Sequence, residues 1–142
     1  MAEALHCAQR ALEAGEVPVG AVVMREGRVI GRGWNRNLAD NDPTAHAEIL
    51  ALRESTRVLG DWRALDCVLY VTLEPCAMCA GAIVLARVSR VVFAAEDPKA
   101  GAAGSVLDVL AQPQLNHHPE VSSGLLGEAS STLLRTFFAT RR

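Results

Sequence analysis

A chain of 142 residues, half of them hydrophobic, suits one ordinary domain that buries about two-thirds of its unfolded surface and needs no disulfides to fold. Fourteen basic against sixteen acidic side chains leave a net charge of −2, which excludes nucleic-acid binding by bulk charge and confines any such binding to a local patch. There is no apolar run of membrane-spanning length and no basic segment leading an apolar core at the N-terminus, and the four cysteines then suit a reduced compartment, so a cytoplasmic protein without a membrane segment is expected.

From Ala2 to Ala14 the apolar positions Ala4, Leu5, Ala8, Ala11 and Leu12 recur at helical spacing and stop at Gly15, which predicts a packing helix. On it, Cys7 reads as a small core hydrophobe and His6 as a surface residue. Val19–Met24 and Arg28–Trp34 predict two strands joined at Glu26-Gly27 as a hairpin. Asn35 closes the second strand and opens a polar stretch, Arg36 to Asp42; an amide in such a place is, by itself, a turn former.

Asp42-Pro43 predicts the next helix start, with aspartate as N-cap and proline first in the helix. Ala45, Ile49, Leu52 and Leu59 form its apolar stripe, and Glu48 falls on the same stripe. A carboxylate there is costly unless paired, which makes Glu48 a functional candidate before any motif is invoked. His46 lies two positions before it, about 200° around a regular helix, so both reach one site only if that site lies over the helix end.

Asp66–Thr72 predicts a strand covered on both faces, with Cys67 structural, and Cys76–Leu85 a helix. Val88–Ala95 follows as a further strand, so a parallel crossover is expected. Pro75 suits the first helical position, which places Cys76 among unpaired backbone N–H groups that favour thiolate. Cys76 and Cys79, three apart, are neighbours on one helix face.

Alone, such a pair reads equally as a redox dithiol or as half of a structural four-cysteine zinc site. The remaining cysteines, Cys7 and Cys67, lack the paired spacing of a second half, and the proline precedes the pair instead of lying within it. Joined to His46-Ala47-Glu48, the pair offers three ligands, His46, Cys76 and Cys79, with a fourth position open: a catalytic site for one Zn2+ per chain. Glu48, unligated, is then the expected proton carrier. H-x-E followed by P-C-x-x-C is the signature of zinc-dependent nucleobase deaminases.

Glu96 to Ser105 is a glycine- and alanine-rich loop without Walker or dinucleotide spacing, placed just past a strand where it would wall the site. Val106 to Leu110 predicts a short helix, and Asn116-His117-His118 beside Pro119 a solvated loop. Leu125 to Arg142 predicts a last helix with Leu126, Ser130, Leu133, Leu134, Phe137 and Phe138 on a broad face. Its basic end, with Arg135, Arg141 and Arg142, serves either the helix dipole or a polyanionic ligand.

Glu16-Val17-Pro18-Val19-Gly20-Ala21-Val22, Gly33-Trp34-Asn35-Arg36, Asp42-Pro43-Thr44-Ala45-His46-Ala47-Glu48, Thr72-Leu73-Glu74-Pro75-Cys76-Ala77-Met78-Cys79-Ala80-Gly81-Ala82 and Gly101-Ala102-Ala103-Gly104-Ser105 together resemble the bacterial tRNA-specific adenosine deaminases. The resemblance covers almost the whole chain. The zinc signature is common to all cytidine deaminase-like proteins; the glycine-alanine loop and the terminal Phe137-Phe138 with its arginines resemble the tRNA branch.

The resemblance implies an α/β, three-layer cytidine deaminase-like fold in a single domain, residues 1–142, whose mixed five-stranded sheet is flanked by helices and whose fifth strand lies near Glu120-Val121-Ser122. It also implies a homodimer that hydrolytically deaminates the wobble adenosine of a tRNA anticodon stem-loop to inosine. Residue by residue, His46, Cys76 and Cys79 match the zinc ligands and Glu48 the proton shuttle, while Asn35, Ala47, Asp97, Phe138 and Arg141 match substrate contacts. The sequence begins later than is usual in that family and ends without its longer basic tail, departures that bear on RNA affinity and not on the chemistry. Two competing readings are a deaminase of a free base or nucleoside, such as guanine or cytosine, and a non-catalytic zinc module that binds RNA. The second leaves the unligated Glu48 without a use.

Overall fold

The computed structural model describes residues 1–141. In chain order it contains α1 (Ala2–Glu13), β1 (Gly20–Arg25), β2 (Arg28–Trp34), α2 (Asn37–Asp40), α3 (Ala47–Leu59), β3 (Val68–Leu73), α4 (Ala77–Ala86), β4 (Arg90–Ala95), β5 (Glu120–Ser123) and α5 (Gly127–Ala139). One five-stranded sheet has the order β2-β1-β3-β4-β5. β1 pairs antiparallel with β2 and β3, whereas β3, β4 and β5 run parallel, with α4 as the crossover between β3 and β4. The mixed three-layer α/β fold and its fifth strand are therefore as expected. No helix among the described residues is long and apolar enough to cross a membrane.

Period-two alternation divides the core. Ala21 and Val23 of β1 and Leu69 and Val71 of β3 face α3 and α4, together with Ala51, Leu52, Ala80 and Ile83. Val22 and Tyr70, on the opposite face, pack with Ala4 and Cys7 of α1. Cys7 and Cys67 are buried free thiols, as their apolar settings predict. α5 joins α1 on that second face, and the Ser130 hydroxyl donates to the Thr72 carbonyl (2.5 Å), pinning α5 to the central strand.

Three expectations need correction. α3 begins at Ala47, not at Pro43: Asp42 spends its carboxylate on the Thr44 amide (2.8 Å) and hydroxyl (2.7 Å), closing a local turn, and His46 at φ −81°, ψ 153° is the extended N-cap. α4 likewise begins one residue after its extended N-cap, Cys76, so Pro75 precedes the cap instead of opening the helix. Residues 106–110 form turns and an Ala103–Asp108 bridge rather than a helix, because their amides are drawn back to Gly101 and Ala102 carbonyls. The polar stretch after Asn35 contains the single turn α2, whose amides at Leu38 and Ala39 donate to the buried Glu16 carboxylate (3.0 and 2.9 Å).

α3 lies unusually close to β2. A Cβ at Gly33 would overlap the Ala47 carbonyl oxygen and stand 2.7 Å from the Ala51 amide, so glycine there sets how deeply the start of α3 can settle. Gly33→Ala should cost about 3 kcal/mol or more of unfolding free energy by overpacking. Gly27→Ala, with φ of +76° but open space around it, should cost about 1 kcal/mol. Urea unfolding of the two variants checks the order; equal losses would mean that α3 shifts freely.

Candidate active site

The ends of β2, β3 and β4 open onto the same end of the sheet, where α3 and α4 begin. Two helix N-termini thus direct unpaired N–H groups and positive dipole ends at one place. His46 and Cys76 are the two N-caps, and Cys79 is the third residue of α4. Their ligand atoms all lie within 4.8 Å of one another. His46 Nδ1 is 3.6 Å from Cys76 Sγ and 3.5 Å from Cys79 Sγ. A tetrahedral ion bound at ordinary zinc distances holds its nitrogen and sulfur ligands about 3.6 Å apart, so the donor set fits such an ion as it stands.

The electrostatics point the same way. The Cys79 thiol and the His46 imidazole push Cys76 down to about 3, making it a thiolate. His46 is raised, chiefly by its hydrogen bond to Cys76. Cys79 is raised, first by the neighbouring Cys76 and then by burial, so it holds its proton until a cation replaces it.

Glu48 belongs to the first turn of α3, is 4% exposed and lies on the wall of the adjoining cavity. It stands outside the ligand cluster. Burial raises it to about 7 against the weaker pull of its own backbone N–H and His46. A carboxyl held near neutrality can both take and give a proton.

Asn35 is buried beside it, and its Oδ1 accepts the Ala47 amide (2.9 Å). That bond orients the carboxamide so that Nδ2, which meets no other protein acceptor among the described residues, is free to donate into the cavity. Ala47 is fully buried and contributes to the site through its backbone.

The cavity measures about 850 Å3 and is bounded by Val17, Val19, Asn35, His46, Glu48 and Cys76 at its floor. Glu96–Ala100 form one wall, and Leu134, Arg135, Phe138 and Ala139 of α5 another. Asp97 therefore lies on the wall, as expected of the loop past β4. Phe137 is buried, whereas Phe138 is 50% exposed and presents its ring at the rim. The Arg141 guanidinium sits 3.9 Å above the Phe137 ring and is not among the cavity-lining residues; Arg142 lies outside the described residues. His117 and His118 are not ligands but donors to the Val88 and Gln112 carbonyls, which tie down the loop before β5.

Arg135, read in the sequence as part of a basic helix end, lines the cavity together with Lys99. Two further features were not singled out in the sequence: Lys99 as a lining cation, and Glu74 bonded to the Glu96–Ser105 loop. No local signal marked Glu74, which lies between the predicted strand and helix and takes its donors from 23 to 31 residues away. Burial opposes its ionisation, but hydrogen bonds from Ser105 and from the Asp97, Ser105 and Ala103 amides hold it below the ordinary carboxylate range.

The chain matches the MafB19-like deaminase family over residues 1–142. It is 50% identical to the tRNA-specific adenosine deaminase of Haemophilus influenzae over 100% of this chain and 83% of that one. Among solved structures it resembles a protein from a study of A-to-I editing by tRNA:A34 deaminases at the wobble position of transfer RNA, with 48% identity and a TM-score of 0.92 over 94% of this chain and 97% of the other. It also resembles guanine deaminase from Bacillus subtilis, at 37% identity and a TM-score of 0.66 over 99% and 90% of the two chains.

His46→Ala and Cys76→Ala should each lose stoichiometric metal, whereas Glu48→Ala should keep about one ion per chain. Elemental analysis of the purified proteins reads this directly, and metal loss from Glu48→Ala would make the carboxylate a ligand.

Proposed function

The chain belongs to the tRNA-specific adenosine deaminases, and from that premise we propose that it hydrolyses the wobble adenosine of a tRNA anticodon to inosine and ammonia with one zinc ion held by His46, Cys76 and Cys79. The observation that carries the reading is a buried, unligated Glu48 beside a three-donor cluster in an open cavity. A purely structural metal site closes its coordination and has no use for such a carboxyl. When bound, zinc supplies the Lewis acidity that makes water a nucleophile near neutral pH.

The chain's own groups do the rest. Glu48 accepts the first proton of the attacking water and delivers it to the purine ring nitrogen next to the carbon under attack. It then takes the water's second proton, as its oxygen becomes the new carbonyl, and passes it to the amino group that leaves as ammonia. Asn35 Nδ2 donates to the base and fixes its edge. Val17 and Val19 offer apolar contact to the purine.

A flipped nucleotide with neighbours on both sides needs an open rim with a stacking surface and cations. Phe138, Lys99 and Arg135 stand at that rim, with Arg141 at the end of the same helix. We assign Asp97 to the nucleotide's sugar, where a carboxylate accepts from a hydroxyl. Local cations on a chain of net charge −2 reconcile its composition with an RNA substrate, and a tRNA substrate and four free cysteines support a cytoplasmic setting.

Assembly follows from α4. The helix is apolar all round, yet Ala77, Met78, Gly81 and Leu85 are left at least partly exposed, with Leu85 68% exposed. Trp62 and Leu65 extend this apolar surface beyond the helix end. A second copy of the chain seated on this stripe gives a homodimer.

Ammonia release measured on an anticodon stem-loop, free adenosine, guanine and cytosine should be confined to the stem-loop and be lost in Glu48→Ala. Faster release from guanine would replace this reading with that of a free-base deaminase. Light scattering should return twice 15.1 kDa for the parent and the single mass for Leu85→Glu. A monomeric, active parent would remove the dimer.

A further inference from the structure

The Glu96–Ser105 wall has no helix or strand of its own, and its glycine-alanine half offers few large side chains for packing. Most of its bonds to the strand end go to one carboxylate. Glu74, 2% exposed at the end of β3, accepts the Asp97 amide (3.0 Å) and the Ser105 hydroxyl (2.5 Å) on Oε1, and the Ala103 (2.9 Å) and Ser105 (3.1 Å) amides on Oε2. These four bonds match the acceptor capacity of a carboxylate, and no Lys or Arg pairs with it among the described residues. Gly101 lies so close that a Cβ there would overlap the carboxylate.

The arrangement ties two parts of the site together. Glu74 immediately precedes Pro75 and Cys76, and the Pro75 carbonyl also accepts the Ala102 amide (2.8 Å). One short run of backbone thus delivers a member of the ligand cluster to the floor and fixes the wall above it. The amide that Glu74 captures at the near end of the loop belongs to Asp97, whose own Oδ1 accepts the Lys99 (3.0 Å) and Ala100 (3.2 Å) amides. Asp97–Ala100 is therefore a closed turn, and the bond to Oε1 ties it to the end of β3.

We infer that Glu74 is a positioning residue for the substrate: by gathering four donors from the 97–105 loop it sets the distance between the Asp97–Ala100 wall and the ligand cluster, and so the fit of the nucleotide. The inference rests on the deaminase reading but concerns a residue without contact to the reacting atoms. Glu74→Gln preserves volume and introduces an NH2 group among N–H donors, so at least one loop amide loses its acceptor. The wall should shift while the ligand cluster stays, and misplacement of this kind costs up to about 10²-fold in reaction efficiency.

The test compares the parent, Glu74→Gln and Ser105→Ala by metal content, amide hydrogen exchange and steady-state kinetics on the anticodon stem-loop. Glu74→Gln should keep its metal, exchange faster at 97–105 than elsewhere, and raise KM by about 10-fold with a smaller change in kcat. Ser105→Ala, which removes one of the four donors, should move the same quantities in the same direction by a smaller factor. Loss of metal, or a fall in kcat at unchanged KM that tracks the folded fraction, would reduce Glu74 to scaffold and overturn the inference. If Glu74→Gln does not fold, Ser105→Ala decides, and an unchanged KM overturns it. A parent inactive on the stem-loop but active on guanine would instead overturn the tRNA reading, and the same comparison of KM and loop exchange would then be read on guanine.

Discussion

Two residues apart on a regular helix, His46 and Glu48 would point about 200° away from each other. The site exists because the helix begins between them. His46 stays extended at ψ 153° and turns its Nδ1 toward the cysteines, while Glu48, already in the first turn, faces the cavity. That boundary has an external cause: the Ala47 amide, one of the donors a helix start leaves free, is taken by the Asn35 side chain. The same bond that ends the coil and begins the helix also aims the Asn35 Nδ2 into the cavity. Asn35 is in turn delivered by β2, whose Gly33 lets α3 settle against the sheet. Strand, cap and base-facing amide are one construction.

Three buried glutamates show how this end of the molecule separates structure from chemistry. Glu16 receives two amides from α2, and Glu74 receives three amides and a hydroxyl from the 97–105 loop. Glu48 has its own backbone N–H, the His46 charge and the neighbouring Cys79 thiol, which together do not offset its burial. Burial disfavours the charged form of Glu48 and Glu74, and donors decide the outcome. Glu74 is held below the ordinary range and is fixed as an anion, whereas Glu48 stands near 7 and can exchange a proton. Of Glu48 and Glu74, the proposed proton carrier is the one with fewer donors.

The five-stranded sheet was legible in part from residues alone, because the hairpin and the two long apolar strands follow local patterns; the short β5 carries too few apolar positions to be read without the family resemblance. The ligand cluster was legible because cysteine, histidine and proline at fixed spacing have few other uses. Helix starts were misread for one physical reason. Asp42-Pro43 and Pro75 are good local starts, but the aspartate was taken by Thr44, and the amides at the true starts are matched to distant partners such as Asn35. No local pattern contains such a pairing. The roles of Glu16 and Glu74 were hidden likewise, since their donors lie more than twenty residues away.

The C-terminal helix settles how one element serves both the core and the rim. Phe137 and Phe138 are adjacent and so point about 100° apart on a helix, which places one ring in the core and the other at the cavity mouth. Their edge-to-face contact at 5.1 Å makes the buried ring a support for the exposed one. Arg141 lies over the buried ring, so its charge is held at the helix end, on the side of the rim but outside the cavity lining. The cations that line the cavity itself are Lys99 and Arg135, one on the loop that Glu74 gathers and one on α5, which Ser130 pins to β3. Two buried polar contacts, at the Thr72 carbonyl and at the Glu74 carboxylate just past the end of β3, tie α5 and the loop to the central strand. The central strand thus carries the alignment of the rim as well as the approach to Cys76.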